Sequence, residues 1–351
     1  MMTITPNWHN VRPLGRTWPL PEEGLWLAFS GTGAEIAFAG DFCEVVIGGD
    51  SRAEDESAAN DYARIAIELD GKRVADAQID APERIFCIPA AEGGHVLRIV
   101  KLSETAMSTC VIRSITAEDI RPTVPKAHLV EFIGDSITCG YGVDDEDPEH
   151  NFVTGTEDAT GAYPYLTAQT LDVDYSLVCI SGYGIISGYT ATAEEPVIAQ
   201  RLPDYYEKLG FSYGAYRGLE PQSIRWDFNV RQPDLIVINL GTNDDSYCLD
   251  DECRQQHYCA AYTDFLCTVR RCNPGAKILC TLGMMGDRLY PFVERAAAAY
   301  TARTGDDNIA CMHFTPQLEE DGRAADYHPT KRTHRKAAER LSEEICRLMG
   351  W

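Results

Sequence analysis

Short apolar runs separated by turn residues fill the first part of the chain. They lie at residues 25–29, 35–38, 43–47, 63–69, 84–88, 96–102 and 110–115. Their length is typical of strands, and Asp70-Gly71 between two segments is a strong signal of a short hairpin. Seven or eight such strands without a helical period predict an antiparallel β-sandwich of jelly-roll type over residues 1–122, with a polar loop at 48–60.

A different rhythm begins after the proline-containing connector at residues 121–125. Strand-like runs now alternate with segments of helical period, with strands at 128–133, 175–180, 235–240, 277–282 and 309–314 and helices at 163–171, 197–209, 252–271, 290–303 and 331–349. This alternation predicts an α/β domain over residues 126–351, with a five-stranded parallel sheet covered by helices on both faces. Reactive groups in such sheets gather at the carboxyl ends of the strands.

The composition is that of a folded globular protein, since 44% of the residues are hydrophobic and 24% are charged. Acidic residues (54) outnumber basic ones (31), and the resulting net charge of −23 repels phosphate backbones and anionic membrane surfaces. We therefore expect neither nucleic acid nor a membrane as a partner. The sequence leaves the oligomeric state open.

Cysteine usage and the first residues bear on location. The first ten residues have neither the basic start nor the apolar core of an export signal, and no apolar window of eighteen residues follows. The thirteen cysteines are an odd number and are scattered, so free thiols in a reducing cytoplasm are expected. No CxxC pair and no histidine at zinc-finger spacing accompany the local group of five, so we expect no metal and no cofactor there: Cys248, Cys253, Cys259, Cys267 and Cys272.

The first predicted strand of the α/β domain leads directly into Gly134-Asp135-Ser136. A serine at this place is held at the rim of the sheet, and backbone N–H groups at the start of the following helix point to where an oxyanion would form. Asp and Ser are also ordinary helix N-cap residues, so this block alone favours a nucleophile no more than a cap.

Two further strand ends carry groups that suit an oxyanion hole. The strand at 235–240 is followed by Asn243, whose side-chain amide can stabilise negative charge without carrying a charge itself, although a turn residue is the alternative. The strand at 175–180 ends in Ser181-Gly182-Tyr183-Gly184, where the missing side chains let backbone N–H groups approach a substrate.

A histidine precedes the last predicted helix. His328, within Asp326-Tyr327-His328-Pro329, is placed to act as a general base. Because an unperturbed histidine titrates near pH ~6.5, activity is expected to fall on the acid side of that value.

These blocks, in this order, resemble the SGNH (GDSL-type) hydrolase superfamily, which is named for its Ser, Gly, Asn and His blocks. The resemblance covers about 225 residues from near Ala127 to the end. It implies a flavodoxin-like three-layer fold and ester hydrolysis through an acyl-enzyme. It further implies that Ser136 is the nucleophile, that His328 is the base, and that the Ser136 and Gly182 amides with the Asn243 side chain form the oxyanion hole.

A narrower resemblance spans nearly the whole chain. Three segments, at 14–17, 155–164 and 226–228, together with the strand-rich first domain, look like carbohydrate esterase family two. Such enzymes join a jelly roll to an SGNH domain and remove acetyl groups from xylan and other sugars. The resemblance implies an acetylated carbohydrate as substrate. A lipase- or thioesterase-type acyl hydrolase and a non-catalytic carbohydrate-binding protein are the alternatives.

One position departs from the superfamily pattern. The triad acid usually stands three residues before the histidine, where this chain has Ala325, and the nearest carboxylate is Asp326, two residues before. Either that carboxylate or a backbone carbonyl orients His328, and our hypothesis is a Ser–His dyad with Asp326 in support. Gly182 and Gly184 are both candidates for the oxyanion amide. Possible substrate contacts are Asp135, Tyr183, Gly184 and Trp226.

Overall fold

A computed structural model describes residues 1–351, and its first part is a ten-stranded antiparallel sheet. The strands are β1 (Met2–Ile4), β2 (Arg12–Leu14), β3 (Thr17–Leu20), β4 (Gly24–Leu27), β5 (Gly33–Gly49), β6 (Arg64–Leu69), β7 (Lys72–Gln78), β8 (Glu83–Pro89), β9 (Gly94–Lys101) and β10 (Cys110–Pro122). Most of the predicted strands are present, and the Asp70-Gly71 hairpin joins β6 to β7. The antiparallel N-terminal domain is thereby confirmed.

Strand β5 is longer than the sequence pattern indicates. Two predicted strands merge into it, because the turn signal around Gly40 (φ +93°) forms an irregularity within one strand. β5 pairs with β9 along its first half and with β8 along its second half, while β10 runs beside most of its length. The sheet thereby folds over a core rich in isoleucine, leucine and valine.

The second part of the chain is a parallel sheet between two layers of helices. Its elements are β11 (Leu129–Gly134), α1 (Ser136–Cys139), α2 (Tyr163–Thr170), β12 (Asp174–Cys179), β13 (Leu235–Asn239), α3 (Thr242–Cys248), α4 (Glu252–Cys272), β14 (Lys277–Leu282), α5 (Tyr290–Thr304), β15 (Ile309–His313) and α6 (Lys331–Met349). The strand order β12-β11-β13-β14-β15 is flavodoxin-like. Helices α4 and α5 pack on one face and α2 and α6 on the other, which confirms the predicted three layers.

The prediction of a helix at residues 197–209 is wrong. Only one short 3-10 turn, Leu202–Asp204, forms there. Pro203 lacks an N–H donor, and the backbone around Val197 and Arg201 pairs with the loop after β12 instead of with itself. None of the six helices combines the length and the apolar character that crossing a bilayer demands.

Buried ion pairs join the two sheets. Arg16, 1% exposed, donates to both carboxylate oxygens of Glu131 on β11 at 2.9–3.1 Å and to the Tyr206 carbonyl at 2.6 Å. Arg12 on β2 bridges Glu35 on β5 and Asp174 on β12. Because a buried charge without its partner is costly, these contacts fix how the sheets sit against each other.

Candidate active site

Ser136 lies at the carboxyl end of β11, which stands between β12 and β13 in the parallel sheet. Gly134 ends this strand, and a Cβ there would come within 1.9 Å of the Thr138 hydroxyl, so only glycine lets the turn close. Asp135 caps the single turn of α1 by accepting a hydrogen bond from the Ile137 N–H at 3.0 Å. Ser136 is therefore the first helical residue, with 6% of its surface exposed.

His328 reaches Ser136 from the loop before α6. Its Nε2 lies 2.9 Å from the Ser136 hydroxyl, and its Nδ1 faces two carbonyl oxygens, those of Ala325 at 3.2 Å and Asp326 at 3.1 Å. Carbonyl oxygens only accept, so the ring proton sits on Nδ1 and the lone pair of Nε2 faces the hydroxyl. This tautomer lets Ser136 donate to His328.

The Asp326 carboxylate does not contact His328, which answers the question about the missing triad acid. Asp326 and Tyr327 both have left-handed backbone conformations (φ +48° and +61°), and this turns the Asp326 carbonyl, rather than its side chain, toward the imidazole. Asp326 Oδ2 instead accepts hydrogen bonds from the Tyr141 hydroxyl at 2.6 Å and from the Phe152 N–H at 2.9 Å. It anchors the loop that carries both aromatic residues.

An aromatic stack covers the imidazole. The Tyr141 ring lies on His328 with centroids 3.9 Å apart, and Phe152 stacks on the other face of Tyr141 at 4.2 Å. Burial among these groups lowers the pKa of His328 to about 4, although the carbonyl contacts of Nδ1 oppose this shift. The imidazole is thus neutral and able to accept a proton across the physiological range.

The loop after β12 distinguishes Gly182 from Gly184. The Gly184 N–H donates to the Gln200 carbonyl at 3.1 Å, whereas the Gly182 N–H has no acceptor within the protein. Gly184 is close-packed, since a Cβ there would meet the Asp244 carboxylate at 2.5 Å. Of these two amides, only that of Gly182 is left to interact with a substrate. The expectation of a substrate contact for Gly184 is corrected because its amide is already engaged.

Asn243 stands in the first turn of α3, 7% exposed. Its Nδ2 donates to the Tyr183 carbonyl at 2.9 Å and, over a longer 3.3 Å, to Oδ2 of Asp135. Burial and the neighbouring Asp244 carboxylate raise the pKa of Asp135 to about 7. Asp135 is fully buried and positions Asn243, so the expectation that it contacts substrate is corrected.

Asp244 shapes the same loop, a role that its sequence position suggested only as a turn or cap. Its carboxylate accepts hydrogen bonds of 2.7–3.2 Å from three consecutive N–H groups, those of residues 185–187. Burial raises its pKa to about 6 against the effect of these N–H donors. The signal available in the sequence was the carboxylate next to Asn243 at a strand end, which does not reveal its partners.

Two aromatic residues expected near the substrate lie elsewhere. The Tyr183 ring, 3% exposed, packs in the core against Tyr205 and Phe211, and only its carbonyl faces Asn243. Trp226 lies beyond the amino end of β11, packed against Trp8 and the Arg16 guanidinium. Both expectations of substrate contact are corrected, since six residues of strand separate Trp226 from the Ser136 end.

No three His, Cys, Asp or Glu side chains come together in an arrangement that would hold a metal ion. The five neighbouring cysteines are all free thiols, spread along α3 and α4. The candidate site thus combines Ser136 at the start of α1, the Gly182 amide after β12, Asn243 at the start of α3 and His328 from the loop before α6.

Family comparisons agree with both halves of the fold. Residues 132–336 match the GDSL-like Lipase/Acylhydrolase family, and residues 14–125 match the carbohydrate esterase 2 N-terminal domain. Among curated proteins, the chain is 28% identical over 333 residues to the cellulase/esterase CelE of Acetivibrio thermocellus, covering 92% of this chain but only 38% of that protein. It is 26% identical over 362 residues to an acetylxylan esterase/glucomannan deacetylase of Cellvibrio japonicus, covering 99% and 92% of the two chains.

Two solved structures of carbohydrate esterases are similar to this chain over nearly its whole length. A family two carbohydrate esterase from Clostridium thermocellum, in complex with cellohexaose, aligns with a TM-score of 0.83 and 28% identity over 97% of this chain and 99% of that one. An acetyl xylan esterase from the rumen bacterium Butyrivibrio proteoclasticus shares the fold with a TM-score of 0.87 at 22% identity, over 100% and 99% of the two chains. The chain belongs to the GDSL-like lipase/acylhydrolase family and carries the N-terminal domain of family two carbohydrate esterases.

Proposed function

We propose that this protein is a serine esterase that removes O-acetyl groups from sugars or oligosaccharides through an acetyl-enzyme on Ser136. The observation that carries the proposal is the 2.9 Å contact between Ser136 Oγ and a neutral His328 whose Nδ1 proton faces two carbonyl oxygens. A hydroxyl paired with a correctly oriented base is what nucleophilic acyl transfer requires.

The reaction uses these groups in sequence. His328 accepts the Ser136 proton as Oγ attacks the acetyl carbon, and the carbonyl electron pair moves onto oxygen. The amides of Ser136 and Gly182 and the side chain of Asn243 stabilise that oxyanion. The longer hydrogen bond of Asn243, at 3.3 Å to Asp135, is its weaker one, so this N–H is the one available to the oxyanion while the other stays on the Tyr183 carbonyl.

Collapse of the tetrahedral intermediate completes the first half-reaction. The bond to the sugar oxygen breaks, and His328 gives its proton to the departing alcohol. Water then attacks the acetyl-enzyme with His328 again as base, and acetate leaves Ser136. Asp326 acts in this cycle as a positioning residue through its carbonyl and through the Tyr141 loop.

The choice of an acetylated carbohydrate rests on relatives and on charge. A curated relative of matching length is named an acetylxylan esterase/glucomannan deacetylase, and a solved relative holds cellohexaose. The loop at residues 144–149, beside the site, carries five carboxylates, Asp144, Asp145, Glu146, Asp147 and Glu149. Such a field disfavours anionic substrates and is compatible with neutral sugars.

Acetate release tests the proposal directly. Wild type and Ser136→Ala are compared on a panel of acetylated mono- and oligosaccharides, beside longer acyl esters and acyl thioesters. Acetate release from the sugars by the wild type alone supports the proposal. Preference for longer acyl chains or thioesters would indicate a lipase- or thioesterase-type enzyme, and sugar binding without acetate release would indicate a binding protein; either result overturns it.

A reducing compartment such as the cytoplasm is proposed as the working environment, because all thirteen cysteines are unpaired. Titration of the unfolded protein with a thiol reagent under non-reducing conditions should count thirteen thiols. Domain boundaries are proposed at residues 1–122 and 126–351, supported by the connector between the end of β10 at Pro122 and the start of β11 at Leu129.

A further inference from the structure

A pair of buried carboxyl groups lies behind the loop that carries Gly182. Glu104 follows β9 in the N-terminal domain and Glu157 belongs to the α/β domain; both side chains are fully buried. Glu157 Oε2 accepts a hydrogen bond from the Glu104 N–H at 2.7 Å, and Glu104 Oε2 accepts one from the Ser181 N–H at 2.9 Å. A chain of contacts thus runs from one domain to the residue before Gly182.

The remaining oxygens of the pair are unsatisfied. Glu104 Oε1 and Glu157 Oε1 are both buried without a hydrogen-bond partner. The nearby Lys101 ammonium donates to the main-chain carbonyls of Ser103 and Glu104 rather than to either carboxylate. Two buried carboxylates without a cation in contact are too costly to be ionised together, and burial raises the pKa of both.

The contact with Ser181 lies at a critical point of the backbone. The Tyr183 N–H donates to the Ile180 carbonyl at 3.3 Å and closes a four-residue turn, in which Gly182 has the positive φ (+79°) typical of the third position of a type II turn. The peptide between the two central residues can flip when the third is glycine. The Gly182 N–H lies in this central peptide, so its position depends on the contacts that hold the two ends of the turn.

We infer that Glu104 is a positioning residue for the oxyanion hole, because its carboxyl group holds the Ser181 N–H, in the peptide just before the one that carries the Gly182 N–H, and so fixes where this turn begins. The peptide that follows the central one is held as well, since the Gly182 carbonyl accepts from the Tyr189 N–H at 2.9 Å. The N-terminal domain then supplies a group on which turnover depends. This inference rests on the proposed esterase function.

Three variants at this position separate reach, charge and bulk. Glu104→Gln keeps an acceptor oxygen of the same reach for the Ser181 N–H, so kcat should stay within about threefold of wild type. Glu104→Asp keeps the charge but withdraws the acceptor by one methylene, and Glu104→Leu removes it. Both should lower kcat by about 10- to 100-fold, less than loss of an oxyanion donor itself, with KM little changed.

A matched control removes another buried acid of the same domain. Glu35, 5% exposed, contacts Arg12, Arg98 and Thr123 close to where the two sheets meet, and it makes no hydrogen bond to residues 180–189. Glu35→Leu should lower the melting temperature at least as much as Glu104→Leu while kcat stays near wild type. A second readout is inhibition by ethylboronic acid, whose tetrahedral serine adduct places an oxygen in the oxyanion hole. Its Ki should rise in Glu104→Asp and Glu104→Leu in proportion to the loss of kcat.

The outcomes are decisive at Glu104 itself. Wild-type kcat and boronate affinity in Glu104→Asp or Glu104→Leu would overturn the inference, as would equal losses of kcat in Glu35→Leu. If the Leu variant does not fold, the contrast between Gln and Asp decides the matter. Absence of acetate release by the wild type would instead refute the proposed function, so the two failures are distinguishable.

Discussion

Charged and aromatic side chains surround both ends of strand β11. The two groups differ in whether their polar atoms have hydrogen-bond partners within the protein. At the amino end, the Arg16 guanidinium binds Glu131 and lies 4.9–5.6 Å from three aromatic rings, while Ser176 and Tyr206 donate to the remaining positions of that carboxylate. At the carboxyl end, the Gly182 N–H has no acceptor.

The backbone differs in the same way. The carboxyl end has two consecutive non-glycine residues in the left-handed region, Asp326 and Tyr327, whereas the residues that form the Arg16 group have none. Strained backbone persists where surrounding structure enforces it, and it is concentrated at functional sites. Buried aromatic and charged residues are common to both ends, so they do not mark function. What separates the two groups is that an unpaired backbone donor and two successive left-handed residues occur together only at the carboxyl end.

The largest expected loss of activity follows substitutions at the carboxyl end of β11, where the Gly182 N–H has no acceptor. Ser136→Ala and His328→Ala should each lower kcat by about 10⁴-fold or more, because nucleophile and base act as a unit. Steady-state acetate release measures this loss. The double variant should be no worse than either single one; additive losses would contradict a shared role.

Removal of one oxyanion donor should come next. Asn243→Ala is expected to lower kcat by about 10²- to 10³-fold, which corresponds to the loss of one preorganised donor. Asn243→Asp replaces the donor by an acceptor and should be at least as damaging. Activity close to wild type in both variants would show that Asn243 has only a structural role, through its hydrogen bonds to Tyr183 and Asp135.

The pH dependence of kcat/KM should show that His328, the proposed base, is buried. Because the pKa of His328 is lowered to about 4, the acid limb of kcat/KM should lie near pH 4 rather than near the ordinary value of histidine. At pH 5 this difference amounts to about 30-fold in the fraction of neutral imidazole. Replacing Tyr141 by Ala should expose the ring and move the limb upward, so an unchanged limb in that variant would contradict the assigned cause.

The same shift has a consequence for stability. The unfolded chain binds a proton at this histidine below about pH 6.5, whereas the folded chain does not until about pH 4. The unfolded state therefore holds more protons in this interval, and the contribution of His328 to the free energy of unfolding decreases as the pH falls through it. His334, whose pKa burial lowers to about 3, acts in the same direction.

A much smaller effect is expected at Asp326. Its left-handed φ of +48° suits Asn, so Asp326→Asn should keep the carbonyl in place and lower kcat only a few-fold, through weaker contacts to Tyr141 and Phe152. Kinetics of this variant beside His328→Ala are the measurement. An equally deep loss would restore the carboxylate as a triad member.

The smallest effect on turnover is expected at the amino end of β11, where the Arg16 and Glu131 side chains are hydrogen-bonded to each other. Trp226→Ala should destabilise the fold by about 3–5 kcal/mol, as large core truncations do, but leave kcat and KM unchanged well below the melting temperature. Thermal unfolding and kinetics on the same preparation test this contrast. A raised KM would show that the amino end of β11 also contacts substrate.

Sequence reasoning predicted the strands, most of the helices and the layers of the α/β domain because apolar period and strand length are local properties, whereas the flavodoxin-like fold was implied by the family resemblance. It also brought Ser136, Gly182, Asn243 and His328 into one candidate site, since they follow strand ends or precede the last helix. It could not assign the orienting group of His328, because this depends on two successive left-handed residues of types that seldom adopt that conformation. Nor could it place Trp226, whose position depends on how residues 197–228 cross the sheet edge without forming a helix.

The partners of Asp244 and Glu104 were equally hidden. A buried carboxylate is recognised by the N–H groups that surround it, and these come from residues 59 and 77 positions away in the chain. No local pattern encodes such a pairing. The same limit applied to Gly184, whose amide is engaged by Gln200 in an irregular loop.

The turn at Asp326-Tyr327 limits which sequences can serve this chemistry. A β-branched side chain at φ near +50° crowds its own backbone, whereas Gly, Asn and Asp tolerate that conformation. Random mutagenesis of these two codons followed by selection for activity should therefore recover few residue types, and Val, Ile and Thr should be rare among them. The requirement beside the imidazole therefore falls on backbone conformation rather than on side-chain charge.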